Sequence, residues 1–247
     1  ETRPLVVHAS HGFAVEKLID TLVAQNVSTE RKYVGSQEAV ASQSKGQCLL
    51  AGFHIPMGAF EDVALAHYAK WLNPKVHALI HVATRRQGLV VAAGNPKHIQ
   101  GVADLTRPGI RYVNRQPSSD THFLLQCLLQ AAKVNPQDIE GYNLGEYTHA
   151  AVAAYVASGM ADAGLAVETP AKRFKLDFVP LVTERYFLLA NQSDLDSPAI
   201  RAVLDILGSE AFKASVNELS GYDASECASI QTLREAFGRS SATSPPT

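Results

Sequence analysis

Cysteine is scarce in this sequence: Cys48, Cys127 and Cys227 are far apart and odd in number. With no CxxC and no HExxH, neither a disulfide framework nor a zinc motif is expected. Three free thiols in a reducing compartment, largely buried, fit that pattern. Long apolar runs are also missing, so no segment has membrane-spanning length and no membrane partner is expected. Charge of one sign is missing as well. The formal net charge is −2, without an extended basic run, which argues against nucleic-acid binding by this piece itself. A GxSxG elbow is absent, and Ser10–His11 are adjacent on one turn rather than arranged as nucleophile, base and orienter. The chain is therefore read as a non-enzyme, with no metal and no cofactor.

What is present is an ordinary globular composition, 46% hydrophobic and 19% charged over 247 residues. That length suits one large domain or two lobes of about 100 residues each. PLVVH (4–8) reads as a buried strand, and Ser10 and His11 follow it before a helical run from Gly12. RKYVG (31–35) is a second strand, with Ser36 opening a helix that Gly46 stops. CLLAGF (48–53) is a third strand, and EDVALAHYAKWL (61–72) reads as a helix. VHALIHVATRRQGLVVAAG (76–94) suits a hairpin or a strand crossing between lobes. IRYVN (110–114) enters a polar loop with Arg115, Ser118, Ser119 and Thr121 at the start of another helix. YTHAAVAAYVASG (147–159) is a helix with Thr148 and His149 near its beginning. ADAGLAV (161–167) is a small-residue strand, and FVPLVTERYFLLANQ (178–192) reads as two short strands around Thr183–Glu184–Arg185. Two helices broken at Gly208 follow, and residues 239–247 read as a disordered tail.

Alternating strands and helices predict an α/β fold with mostly parallel sheets. Four polar turns, near residues 10, 36, 118 and 148, fall where helices should start. A helix N-terminus offers unpaired N–H groups and partial positive charge, and in open α/β sheets ligands sit at strand carboxyl ends beside such termini. Ser10, His11, Ser36, Arg115, Ser118, Ser119, Thr121, Thr148 and His149 are thus the candidate ligand contacts, for a small oxyanion. The hydroxyls have a second reading, as plain helix caps. His54 and His122 adjoin the same turns, and protonated imidazoles there would make anion binding pH-dependent. Arg85 and Arg86 are expected at a hinge or the surface. Glu168 is expected to pair with Arg115 or Arg185.

Four stretches carry a family resemblance: LLAGFHIP (49–56), RRQGLVVAAGNPKHIQGVADLTRPGIRYVNRQPSSDTHFLL (85–125), YTHAAVAAYVASGMADAGLAVE (147–168) and LDFVPLVTERYFLL (176–189). Together they resemble the type 2 periplasmic-binding-protein fold, and more closely its molybdate-binding-protein-like branch. QPSSDTH (116–122) departs from the RGSGTR of that pattern, with Asp120 where glycine is usual. The resemblance implies two lobes, each a doubly wound, mostly parallel sheet: residues 1–83 with 190–238, and residues 84–189. It also implies an effector-binding domain of a LysR-type or other helix-turn-helix transcription regulator linked to formate dehydrogenase or molybdenum metabolism. On that reading the domain is cytoplasmic and binds formate or molybdate in the interlobe cleft. DNA is met only through an N-terminal helix-turn-helix not in this sequence, and the assembly is a dimer or tetramer. The chain opens at Glu1, which suits either a piece of such a regulator or a processed periplasmic solute-binding protein for an oxyanion transporter.

Overall fold

The computed structural model describes residues 3–238; the tail expected at 239–247 lies outside them. In chain order the elements are β1 (Leu5–Ala9), α1 (Phe13–Ala24), β2 (Thr29–Tyr33), α2 (Ser36–Ser44), β3 (Leu50–Pro56), α3 (Glu61–Ala66), β4 (His77–Val91), β5 (Tyr112–Arg115), α4 (Asp120–Ala131), β6 (Gly145–Glu146), α5 (His149–Ala157), β7 (Ala163–Val167), α6 (Glu168–Arg173) and β8 (Asp177–Asn191). The chain then forms α7 (Pro198–Leu207), α8 (Glu210–Asn217), β9 (Tyr222–Asp223), β10 (Ile230–Thr232) and α9 (Leu233–Phe237). The fold is mixed α/β and mostly parallel, as the alternation of elements predicts. The described residues divide into two compact units, residues 3–84 with 185–219 and 223–238, and residues 85–184 with 220–222.

In unit 1 the hydrogen-bonded strand order is β2-β1-β3-β8-β4, with β10 on β4. β1 runs parallel to both β2 and β3, and β10 is antiparallel to β4. The seven residues of β3 are all buried, which is why LAGFHIP is continuously apolar apart from His54: both faces are covered. Gly52 on β3 is a close-approach position. A Cβ there would collide with the Tyr186 hydroxyl, which donates to the Ser10 carbonyl at 2.6 Å and ties β8 to the end of β1.

In unit 2 the order is β4-β7-β5-β6. β5 is parallel to β6 and β7, while β4 is antiparallel to β7, with Gln87 opposite Val167. The core under α5 is built of small residues, with Val90, Val113, Val152, Ala153, Val156, Ala161, Ala166 and Ala171 in one buried cluster. Gly164 allows this: a Cβ there would strike Val152 on α5 and Val113 on β5, so the helix lies close on the strand.

Several expectations are corrected. Residues 178–191 are not two short strands but part of one fifteen-residue strand, and of the two readings of 76–94 the single strand, also fifteen residues long, holds and the hairpin does not. The polar residues midway are satisfied by side chains instead of a turn. Helix 61–72 ends at Ala66. Arg85 is not a surface residue; it is 1% exposed, while Arg86 is exposed. Glu168 pairs with Arg86, at 2.6 Å, rather than with Arg115 or Arg185. Arg185 pairs with Glu61 at 3.2 Å.

All three cysteines are free, with Cys48 and Cys227 buried and Cys127 partly so. Burial pushes the Cys48 and Cys227 thiols up to about 11, so both stay protonated and unreactive. His77 and His81 are four apart, but on a strand, where that spacing is roughly 13 Å. Among the described residues no group of three or more His, Cys, Asp or Glu could hold a metal ion, and no helix is long and apolar enough to cross a membrane.

Candidate functional site

Unit 1 brings Ser10 and Ser36 to the carboxyl ends of two adjoining parallel strands, β1 and β2. Neither serine is a cap. Gly12 and Gly35 hold the N-cap positions of α1 and α2, and neither helix has a side-chain cap hydrogen bond. Ser36 is the first residue of α2 and 2% exposed. The hydroxyls of Ser10 and Ser36 are both buried with no hydrogen-bond partner among the described residues. An unpaired buried hydroxyl costs about 1–3 kcal/mol, and these two stand beside helix termini that no side chain caps. His11 does not join it as a bare cation: its Nε2 lies 2.6 Å from a Glu16 carboxylate oxygen, and its ring meets Phe13 and Tyr33 edge-on. His54 is buried and stacks on Tyr186.

Unit 2 centres on Arg115, the last residue of β5. Its guanidinium donates to the carbonyls of Glu146 (3.2 Å) and Tyr147 (3.1 Å), to the Gln116 side-chain oxygen (3.3 Å) and to His149 Nδ1 (3.3 Å). No carboxylate pairs with it among the described residues. Burial, and then the charge of Arg85, push its pKa down to about 10, so it stays protonated at neutral pH in a setting that disfavours its charge. An anion docking there relieves that penalty.

Two helix starts adjoin this arginine. Ser119 caps α4 by accepting from the Thr121 N–H at 3.1 Å, and His122 in the first turn holds the Arg115 carbonyl at 3.0 Å. His122 Nδ1 must be the donor there, since a carbonyl only accepts. Thr148 caps α5 by accepting from the Ala151 N–H at 2.9 Å. His149 Nδ1 faces two donors, Arg115 and the Val167 N–H at 3.3 Å. It must therefore be unprotonated, which places the ring proton on Nε2 and makes this imidazole neutral. Ser118 is exposed on the loop before α4. Thr121 is 2% exposed and faces inward, its hydroxyl accepting from Gln87 Nε2 at 3.2 Å.

The four helix starts differ in one decisive respect. The first turns of α1, α2 and α4 contain Glu16, Glu38 and Asp120, whereas the first turn of α5 has no acidic residue. The α5 start, beside Arg115, is the one where an external anion meets no carboxylate of the helix itself. Beneath α4, Arg85, Gln87 and Glu184 form a buried network that went unforeseen. Its signal was available: on a strand, Arg85 and Gln87 point to one face and Arg86 to the other.

The chain belongs to the PBP superfamily, whose domain profile matches residues 20–208. It is 35% identical over 193 residues to YvgK, an uncharacterized protein of Bacillus subtilis (strain 168), covering 78% of this chain and 62% of YvgK. An 87-residue stretch is 39% identical to the molybdate-binding protein ModA of Mycobacterium tuberculosis, covering 34% of this chain and 30% of ModA. The chain thus spans about 62% of the first relative's length and less of the second. Among solved structures, a putative phosphate ABC-transporter substrate-binding protein of Clostridium perfringens with bound phosphate aligns with a TM-score of 0.62 at 12% identity, covering 90% of this chain and 99% of that one. The regulatory domain of CcmR from Synechocystis PCC6803, in complex with 2-PG, aligns with a TM-score of 0.61 at 11% identity, covering 87% and 98%. At such identities these two matches bear on the fold alone. Binding proteins and a regulatory domain share it.

Proposed function

We propose that this chain is the ligand-sensing domain of a bacterial transcription regulator and that it binds a small oxyanion. The observation that carries the anion reading is Arg115: a partly buried guanidinium with no carboxylate partner among the described residues, beside the one of the four helix starts whose first turn holds no acid. The hydroxyls of Ser10 and Ser36 add neutral donors suited to the oxygens of the same ligand class. Molybdate and formate head the candidates, the first supported by the ModA similarity; phosphate joins them because a phosphate-binding neighbour shares the fold.

The sensing role is supported by the fold shared with the CcmR regulatory domain and by the resemblance of residues 49–56, 85–125, 147–168 and 176–189 to effector domains. In that role the anion shifts the population of domain conformations, and an attached helix-turn-helix in a dimer or tetramer reads the shift. A solute-binding protein serving an oxyanion transporter is the second reading, favoured by the similarity to ModA.

Titration calorimetry with formate, molybdate, tungstate, sulfate and phosphate, on wild type and Arg115→Ala, tests the anion reading. Heat from at least one anion in the wild type, lost in the variant, is expected. Equal binding by both proteins removes Arg115 from the site. The two roles separate on the full-length gene: a helix-turn-helix and anion-dependent DNA mobility shifts support the regulator, while an export leader without either supports the transporter component.

A further inference from the structure

Gln87 is fully buried on β4 of unit 2, and its side-chain amide makes two hydrogen bonds through one nitrogen. Nε2 donates to Glu184 Oε1 at 3.0 Å and to Thr121 Oγ1 at 3.2 Å. The amide cannot turn over. Glu184 Oε1 also receives Arg85 Nε at 2.5 Å, with both side chains 1% exposed. Arg85 and Glu184 form a buried ion pair, and although burial pulls the Arg85 pKa down, contacts with Glu184 and Tyr222 outweigh it and hold that pKa above the ordinary value. An ionised carboxylate only accepts, and turning the amide would set its oxygen against that carboxylate. The Thr121 hydroxyl therefore receives a hydrogen bond and keeps its own proton for another acceptor. Gln87 also stands opposite Val167 in the β4–β7 register, and the Val167 N–H is the group that faces His149 at the start of α5. One registered pair of residues thus anchors the starts of both helices beside Arg115.

We propose that Gln87 is a positioning residue for the anion site of unit 2, acting on the first turn of α4 through Thr121. This rests on the reading of unit 2 as an anion site. Through Glu184 the amide ties that turn to the buried Arg85 pair, so the position of the α4 start beside Arg115 is set before a ligand arrives. Such preorganisation favours ligands whose oxygens accept hydrogen bonds.

A double-mutant cycle with a ligand-free control tests this. Gln87→Leu, Thr121→Val and the double variant are titrated with molybdate, phosphate and formate. Each single change is expected to weaken whichever anion the wild type binds by about ten-fold, and the double variant is expected to be no weaker than either single one. Losses that multiply, or a Gln87→Leu protein that binds as the wild type does, overturn the proposal. In the absence of any anion, hydrogen exchange is followed at the Phe123 amide, which donates to the Ser119 carbonyl in α4, and at the Val152 amide in α5. Gln87→Leu is expected to speed exchange at Phe123 about ten-fold and to leave Val152 as it was. No change at Phe123, or equal acceleration at both amides, overturns the proposal. A wild type that binds none of the anions defeats the anion reading instead, and the exchange experiment then decides the role of Gln87 alone.

Discussion

The two units use different chemistry for the same kind of surface. Unit 1 presents neutral donors: the buried hydroxyls of Ser10 and Ser36 beside two helix starts that no side chain caps. Unit 2 presents a cation, Arg115, beside helix starts capped by Ser119 and Thr148. On the proposed anion-binding reading, the contrast separates two kinds of donor. A guanidinium supplies attraction for any negative charge, whereas rigid neutral donors select by the number and direction of acceptor lone pairs. The units differ in the same way in their buried polar groups. Glu184 in unit 2 is ion-paired out of solvent with Arg85, while Arg185, the next residue in unit 1, pairs with Glu61 where both side chains remain partly exposed.

That last difference yields the largest expected effect. Glu184→Ala should lower stability by about 3–5 kcal/mol in urea unfolding, because it leaves a guanidinium buried without its carboxylate. Glu61→Ala, which breaks the more exposed pair, should cost about 1 kcal/mol or less. Equal losses would erase the contrast.

An acid effect of similar size belongs to unit 1. His81 is 3% exposed, neither ring nitrogen has a hydrogen-bond partner, and burial, then the charge of Arg185, depress its pKa to about 4, against the opposing pull of Asp223. The unfolded chain therefore takes up the proton first. Stability is full above pH 6.5, the ordinary value, and falls as pH drops toward 4. Keeping this imidazole neutral across that window costs the folded protein about 3 kcal/mol in all. Urea unfolding followed from pH 7.5 down to pH 4 measures the loss, and His81→Leu should flatten the dependence. An unchanged slope in that variant would assign the acid sensitivity elsewhere.

Arg115→Ala comes next. Loss of a charged hydrogen-bonding group should weaken anion binding by about 1.5–3 kcal/mol, roughly ten- to a hundred-fold. The smallest effect is expected at Ser36→Ala, about 0.5–1.5 kcal/mol in affinity. Thermal unfolding of the ligand-free variant should show no loss of stability, since the hydroxyl has no partner among the described residues to lose. A clear drop in the melting temperature would mean that Ser36 is structural.

Much of this was legible beforehand, and the misses have a common cause. The strand-to-helix turns at residues 10, 36, 118 and 148 were legible because hydroxyls, glycines and apolar periods are local signals. The reading of residues 178–192 as two strands failed because Thr183, Glu184 and Arg185 look like a turn. Glu184 is instead neutralised by Arg85, 99 positions earlier, and a partner so distant leaves no local trace. The expectation that Glu168 pairs with Arg115 or Arg185 failed for the same reason: its partner, Arg86, is 82 positions away. Histidine protonation was illegible as well, since His149 is held neutral by two donors that converge only in the fold.

The sequence by itself determined the alternating α/β pattern, the helix starts that carry hydroxyls, and the arginine that closes β5, because each depends on neighbours within a few residues. Only the tertiary structure decided which of those groups remain available to a ligand. Among the described residues it left the Ser10 and Ser36 hydroxyls unpaired, engaged Thr121 through Gln87, paired His11 with Glu16, and gave Arg115 carbonyls and an imidazole but no carboxylate. The physical reason is that the energy of a buried polar group depends on its partners and its solvent, and folding sets both through residues distant in the chain.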